Sequence, residues 1–428
     1  MAESYLNRII KTGDTPTPSG YVRLTGVPDG ESIIANAPVI ENGGVNYYPI
    51  YYMCLMDTVA SESFTKTGTG VSTGADAYVF SDEPSTLYVG DTTHTFDVSQ
   101  DSETSENWKC RYVIAYATEA NKNDANGITV NLYSSKTPFE FIGSSYLKLS
   151  STSALFGDVS GGAVNLRYIN LSSSSFYNNE ISVASFCAAC FSLITLSLPT
   201  LTTISGMGFC TVCHTLTSVS LPVLTTISGG YFCQECYALT SVSLPALENV
   251  SGENFCYGCG SLTDISFTSL VTVSGNGFCS NCNSLKTVSL PVLTTINGYA
   301  FCEGSDNLHS VSLPALITVN AENFCMSFGL LKYFNISNTV TSITNTSENT
   351  LACTQFIGLP TDFNISGCHF EGFTTRYPKS LTWFTHLATQ LKDNSSGTAK
   401  TMVIGAENIA LIPTATATII SNKNWTLS

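Results

Sequence analysis

Residues 232–254 read FCQECYALTSVSLPALENVSGEN, and versions of this phrase return every 23 residues. Its opening pair recurs at Phe186-Cys187, Phe209-Cys210, Phe232-Cys233, Phe255-Cys256, Phe278-Cys279, Phe301-Cys302 and Phe324-Cys325. A fixed period in the twenties marks a solenoid in which each repeat makes one coil. Within a unit, Val219 and Leu221 flank Ser220, which is the alternation of a strand with one face inward. Leu216 and Val219 are three apart, as are Leu224 and Ile227, spacings that suit bends or tight helical turns. Pro222 follows the strand, where a turning chain can do without a backbone donor. Gly229 and Gly230 stand at a further corner, where positive φ is expected.

One coil cannot bury its own apolar face, but stacked coils can, each Leu, Val, Ile and Phe landing on its counterpart. The segments Thr195–Leu198, Ser218–Leu221, Ser241–Leu244, Asp264–Phe267, Thr287–Leu290, Ser310–Leu313 and Tyr333–Ile336 are therefore expected to form one parallel sheet. At about 4.8 Å per strand, seven coils give a rod section roughly 30 Å long. Leu166-Ile169-Leu171 and Phe363-Asn364-Ile365 fit the template at irregular distances, as atypical end repeats should.

The pattern LxxVxLPxLxxIxxxxFxxCxxL resembles the BspA-type leucine-rich repeat of bacterial surface proteins and phage structural proteins, and it covers about Leu166 to Ile365. The Phe and the second Cys of each unit match that family; the first Cys of each CxxC is extra. The resemblance implies a leucine-rich-repeat solenoid with a parallel sheet over 149–376.

The flanks have other textures. Residues 1–20 combine a short apolar-faced stretch, with Tyr5, Leu6, Ile9 and Ile10 on one side, and the breaker TGDTPTPSG at 12–20. They read either as a docking peptide with a linker or as a frayed terminus, and they are similar to the opening of many phage tail and baseplate-associated proteins. Residues 21–148 hold β-rich runs such as Tyr47-Tyr48-Pro49-Ile50-Tyr51-Tyr52 and Tyr112-Val113-Ile114-Ala115-Tyr116, separated by turn signals. That texture predicts a β-sandwich-like attachment domain. Residues 377–428 predict a small α/β cap: a helical face of Leu381, Phe384, Leu387 and Leu391, a strand at 401–405, a helix from Pro413 and an edge strand at 424–427. This segment resembles the module that follows such repeats in phage tail proteins, and its expected task is to cover the last coil. The fold class expected is mainly β.

The chain has 17 basic and 32 acidic residues, a net charge of −15. That acidity argues against nucleic acid, since phosphate binding needs a basic face. No apolar run reaches the length of a membrane span. The opening residues lack the basic start and long apolar run of a secretion signal, so synthesis and folding in a host cytoplasm are expected.

Sixteen cysteines raise the question of chemistry. CxxC occurs at Cys187/Cys190, Cys210/Cys213, Cys233/Cys236, Cys256/Cys259 and Cys279/Cys282, while Ser305 and Phe328 replace the second member in later units. Zinc needs two such pairs converging on one point, whereas pairs in register point the same way. The expected reading is a packing column of small buried residues, with coil-to-coil disulfides as the alternative. The Phe column is likewise expected to be core. His94, His214, His309, His369 and His386 sit in unrelated contexts, and no nucleophile or phosphate-loop motif is present. Asp97, Asp101, Glu103 and Glu106 read either as a calcium loop or, their spacing fitting no known motif, as a solvated acidic turn. No catalytic residue, metal or cofactor is expected.

What remains is surface. Ser218, Ser220, Ser241, Ser243, Asp264, Ser266, Thr287, Ser289, Ser310, Ser312, Tyr333 and Asn335 point outward and make a hydroxyl-rich strip, which either binds a glycan or protein or is simply solvated. The expected function is a non-enzymatic virion fibre or spike, on head or tail, that contacts a host-surface glycan or protein. It would dock to other virion proteins through its N-terminal region and assemble as a homo-oligomer, with a trimer in view. The alternatives are a bacterial cell-surface adhesin and a decoration subunit without a receptor.

Overall fold

In a computed structural model, the described residues are 30–56, 62–65, 78–81, 93–96, 110–123, 127, 138–151, 156–157, 166–172, 174–319, 333–336, 388, 400–402, 409–410 and 412–427. The docking residues Tyr5, Leu6, Ile9 and Ile10, the acidic group at 97–106, the pair Phe324-Cys325, Phe328, the echo at 363–365 and the helical face of Leu381, Phe384, Leu387 and Leu391 lie outside them. The fold is mainly β, and the chain divides into two compact units, Met1–Leu221 and Pro222–Ser428.

The first unit opens with α1 (Gly30–Asn36), β1 (Ile40–Asn42), β2 (Val45–Met56), β3 (Glu62–Thr65), β4 (Tyr78–Ser81), β5 (Thr93–Phe96), β6 (Cys110–Thr118), α2 (Glu119–Lys122) and β7 (Pro138–Gly143). The coils follow as β8 (Lys148–Leu149), β9 (Tyr168–Asn170), β10 (Ser175–Phe176), β11 (Glu180–Ile181), β12 (Thr195–Ser197), β13 (Thr203–Ile204) and β14 (Ser218–Ser220). The aromatic run forms the long β2, with Tyr52 and Met53 fully buried. Pro49 is tolerated in this central strand because the ladder to β6 slips at that point, a bulge that needs no donor.

Where the sequence predicts a separate sandwich-like domain, the described strands form a mixed sheet in the order β14-β12-β9-β7-β2-β6-β4, beside a small antiparallel pair, β3 and β5. β7 pairs in parallel with β9, Glu140 opposite Tyr168 and Phe141 opposite Ile169. β9 pairs in turn with β12, Ile169 opposite Leu196. The sheet thus runs past residue 148, where the sequence reading set its boundary. Phe141, Ile169 and Leu196 share one buried column, and Phe141 packs edge-on to Phe156 at 5.1 Å. The first coil therefore rests on a strand of the N-terminal region, which meets the capping need of an open repeat stack.

The second unit continues the repeat with β15 (Thr226–Ile227), β16 (Ser241–Ser243), β17 (Asn249–Val250), β18 (Asp264–Ser266), β19 (Thr272–Val273), β20 (Thr287–Ser289), β21 (Thr295–Ile296), β22 (Ser310–Leu313), β23 (Thr318–Val319) and β24 (Tyr333–Ile336). β18, β20, β22 and β24 form one parallel sheet in strict register, Asp264 opposite Thr287 opposite Ser310 opposite Tyr333. A second parallel sheet joins β15, β17, β19, β21 and β23. The Leu224–Ile227 spacing, read above as a bend or helical turn, thus ends in a two-residue strand, too short for its alternation to show in the sequence.

The third side of each coil is the FCxxC corner. Two left-handed residues bracket it, at Tyr231 and Glu235, Asn254 and Gly258, Gly277 and Asn281, and Ala300 and Gly304; the first unit does the same with Gly208 and Val212. Backbone bonds still run from coil to coil here: Tyr231, Cys233 and Glu235 donate to the carbonyls of Glu253, Phe255 and Tyr257 at 2.7–2.9 Å. Positive φ belongs to this corner. It is not adopted at Gly229 or Gly230, where the sequence reading expected it. The glycines just before the corner serve close approach instead. A Cβ on Gly252, Gly275 or Gly298 would lie 1.9–2.1 Å from the carbonyl oxygen of its counterpart one coil earlier, and one on Gly206 would lie 1.8 Å from that of Val183.

At the C-terminal end β25 (Lys400–Met402) and β26 (Trp425–Leu427) pair in parallel, and α3 (Thr414–Asn422) lies between them in sequence. Pro413 supplies the extended residue before α3, and Asn424 ends it at φ 62, a left-handed stop that asparagine tolerates. Among the described residues no helix is long and apolar enough to cross a membrane.

The glycine column is testable. Gly275→Ala should lower stability by about 3 kcal/mol, because the methyl meets backbone rather than a movable side chain; denaturant unfolding checks it. A change within experimental error would mean that the coils can separate locally.

Candidate functional site

The aromatic and thiol columns lie inside the coils. Phe232, Phe255, Phe278 and Phe301 stack with centroids 5.0–5.3 Å apart and planes within 10° of parallel; Phe186 and Phe209 do so at 5.6 Å. Offset-stacked and edge-to-face pairs are both favoured; register selects the parallel form, and Phe267 adds edge contacts to Phe255 and Phe278. The first cysteines, Cys187, Cys210, Cys233, Cys256, Cys279 and Cys302, are buried thiols, and so are the second ones, Cys190, Cys213, Cys236, Cys259 and Cys282. Cys187 Sγ lies 2.9 Å from Cys210 Sγ.

The second cysteines, read in the sequence as a packing column, are buried and also act as hydrogen-bond donors. Cys213 Sγ donates to the Cys187 carbonyl at 3.1 Å, Cys259 Sγ to that of Cys233 at 3.0 Å, and Cys282 Sγ to that of Cys256 at 3.0 Å. Cys190 departs from the ladder's spacing. The coil before it is irregular, and its Sγ donates to the Phe156 carbonyl, 34 residues back, at a longer 3.8 Å. Cys236 is buried like the others, and its amide donates to the Cys233 carbonyl at 3.4 Å to close its own corner. That same carbonyl is the one that takes the Cys259 thiol. Cys236 is therefore part of a bonded corner as well as a filler of volume. A hydrogen bond with Cys256, then burial, then the nearby Cys256, Cys236 and Cys282 sulfurs hold the Cys259 thiol well above its ordinary value.

In the coil that lacks a second cysteine, the Ser305 hydroxyl donates to the Cys279 carbonyl at 3.1 Å and accepts from the Cys282 amide. The column thus supplies donors to corner carbonyls whose own amide bonds are long, 3.3–3.4 Å at Cys256 and Cys233, and serine keeps that role. The sequence reading took the change to Ser305 as one that a packing column tolerates; the structure adds that one donor replaces another. Burial and bonds to neighbouring thiols hold the Cys279 thiol well above its ordinary value, so it stays protonated. Among the described residues no group of three or more His, Cys, Asp or Glu side chains stands ready to hold a metal.

The outward strip lies where register puts it. Ser218 and Ser220 are exposed in the first unit; Ser241, Ser243, Asp264 and Ser266 are exposed in the second, and Thr287, Ser289, Ser310 and Ser312 half-buried. Tyr333 and Asn335 lie in β24 in line with Ser310 and Ser312. Asp264, the odd residue of the strip, is engaged locally: the Thr287 hydroxyl of the next coil and the Thr263 hydroxyl both donate to it. These bonds, with Lys286 nearby, hold its carboxyl below the usual range.

A cleft of about 390 Å³ lies in the first unit. Ile34, Pro49 and Ile142 supply apolar lining, Ser144, Ser145 and Ser172 hydroxyls, and Glu31 a carboxylate. Tyr168 Oη donates to Glu31 Oε1 at 2.5 Å, and Asn170 Nδ2 does so at 3.2 Å. Burial, then the Glu31 carboxylate, push the Tyr168 phenol far up, so it remains a donor. Glycoside hydrolysis uses two facing carboxylates; among the described residues this lining brings one. The sequence carried no sign of this cleft, because its parts are more than a hundred residues apart.

Residues 179–304 and 230–352 match the BspA type leucine rich repeat region, in six copies. The repeat segment of this chain is therefore a BspA-type leucine-rich repeat region, as its resemblance implied. A crystal structure of a leucine-rich repeat protein from Bacteroides ovatus is 17% identical over 50% of this chain and 72% of that one, with a TM-score of 0.26. A superposition that loose carries no detail. No curated protein matches the chain.

The donor column can be separated from simple packing. Cys282→Ala should cost about 1–3 kcal/mol by taking the thiol donor from the Cys256 carbonyl and leaving a small void, whereas Cys282→Ser should keep most of the wild-type stability. Denaturant midpoints of the two variants decide it; equal losses would reduce the column to volume alone.

Proposed function

We propose that this chain is a non-enzymatic contact protein of a phage virion. It is a fibre or spike on tail or head that presents its coils to the host surface. The observation that carries the reading is the direction of the side chains. The abundant chemistry-bearing residues of the repeat, its thiols, are turned inward and bonded to backbone. What the coils offer outward on their strands is small, hydroxyl-bearing and nearly uncharged, suited to many weak contacts. The BspA-type repeat region supports a surface role. The likeness of residues 1–20 and 377–428 to phage tail proteins supports the virion.

In this reading Tyr5, Leu6, Ile9 and Ile10 dock to other virion proteins, the chain forms a homo-oligomer such as a trimer, and it engages neither nucleic acid nor the membrane interior. The repeat region serves a bacterial cell-surface adhesin equally well, and that is the second reading. Immunogold electron microscopy separates them. Labelling of purified particles is expected; labelling confined to bacterial envelopes would overturn the virion in favour of the adhesin.

A further inference from the structure

The second unit carries several versions of one coil, so its own differences are informative. On the strand face, position by position, Ser, Thr and Asp alternate with Val and Ile. At the FCxxC corner the variation is of another kind. Tyr231, Glu235, Tyr237, Glu253 and Tyr299 cluster there, at positions where several other coils have small residues: Gly208 and Gly277 match Tyr231, Gly258 and Gly304 match Glu235, Gly260 matches Tyr237, and Gly230 and Asn276 match Glu253 and Tyr299.

The backbone makes these choices costly. Tyr231 sits at φ 61 and Glu235 at φ 56, a left-handed conformation that a side chain disfavours. Glycine bears that conformation most easily and stands there in Gly208, Gly258, Gly277 and Gly304, while Asn254, Asn281, Ala300 and Val212 fill the other places. Large side chains kept against that preference point to a use beyond folding.

Their arrangement indicates the use. Tyr237 is 50% exposed and Tyr299 53% exposed. Tyr237 Oη donates to Glu235 Oε2 at 3.1 Å, and Gln234 Nε2 donates to Glu235 Oε1 at 3.0 Å. Tyr231 hydrogen-bonds to Glu253 of the next coil, which raises its phenol pKa. Tyr237 and Tyr231 are thus tethered by their hydroxyl ends to carboxylates, and the exposed Tyr237 and Tyr299 rings stand among carboxylate and amide groups. Over residues 222–319 Lys286 is the only Lys or Arg, so an anionic polymer is repelled.

We propose that this corner binds a neutral glycan chain. Ring faces take the C–H faces of sugar rings, and the oriented carboxylates and amides take pairs of hydroxyls. These groups lie on coils spaced about 4.8 Å apart, the scale of successive sugar units. A cationic peptide fits less well, since each carboxylate already accepts from a tyrosine. The proposal rests on the contact-surface reading above and names its ligand class and the face that holds it, which is the corner rather than the hydroxyl strip.

The test uses the full chain and a variant combining Tyr231→Gly, Tyr237→Asn and Tyr299→Asn. Each replacement is one that another coil already has at that column (Gly277, Asn283 and Asn276), and denaturant unfolding confirms the fold. Probes are soluble β-glucan, mannan and galactan, with polygalacturonate as the anionic arm and polylysine as the cationic one. The expected result is binding of at least one neutral polysaccharide, weakened at least tenfold in the variant, and none of polygalacturonate. Binding of polylysine alone, of no neutral polysaccharide, or of one with affinity unchanged in the variant would overturn the proposal. Attachment to intact cells is read in parallel. Attachment that persists in the variant sinks the corner and leaves the contact surface standing; wild-type chain that attaches to no cell sinks the contact surface itself.

Discussion

The carbonyl of Gly252 approaches Gly275 so closely that a single methyl group would collide with it. That approach sets the terms for the other columns. Where backbones stack at strand spacing and every residue lies over its counterpart 23 positions away, each column must satisfy one local demand many times over. The phenylalanines meet theirs by tilting alike, so that parallel rings replace the edge-on pairs found elsewhere. The glycines meet theirs by having no side chain. The second cysteines meet theirs by donating to carbonyls that amides reach only at long range, and Ser305 does the same by other means.

Much of this architecture was legible in the chain. The seven strands expected from Val219-type and Leu221-type alternation are present within a residue of their expected ends, because a three-residue strand with a buried centre leaves a clear imprint. The fold class and the family of the repeat follow from the same imprint. Three features were not legible, for physical reasons. The pairing of β7 with β9 joins parts of the chain that share no pattern, so the continuation of the sheet into the first coil left no trace in periodicity. The short strands at Thr226–Ile227 and its equivalents span too few residues to alternate. Gly229 and Gly230 suggested positive φ because that is the commonest need for glycine, whereas the left-handed residues lie at the corner that follows, where tyrosine, glutamate and valine occupy several of the places.

The candidate surface was half visible. Alternation alone reveals the hydroxyl strip, because outward positions of a strand are read by default. The tyrosine and glutamate corner was hidden among the variable letters of the repeat, and it emerges once backbone angles show which of those letters the fold would sooner have as glycine. Strand face and corner thus differ in character: one is uniform and undemanding, the other is varied and held against a local preference. The thiols of the repeat face inward, while Tyr237 and Tyr299 stand exposed at the corner.

Thiol accessibility tests the stacking of like on like most directly. Without reductant, the native chain treated with a maleimide should leave the column cysteines from Cys187 to Cys302 unlabelled, and in denaturant all sixteen cysteines should react. Rapid native labelling of those residues would contradict their burial in columns, and a denatured titre well below sixteen would show that the coils are joined by disulfides instead.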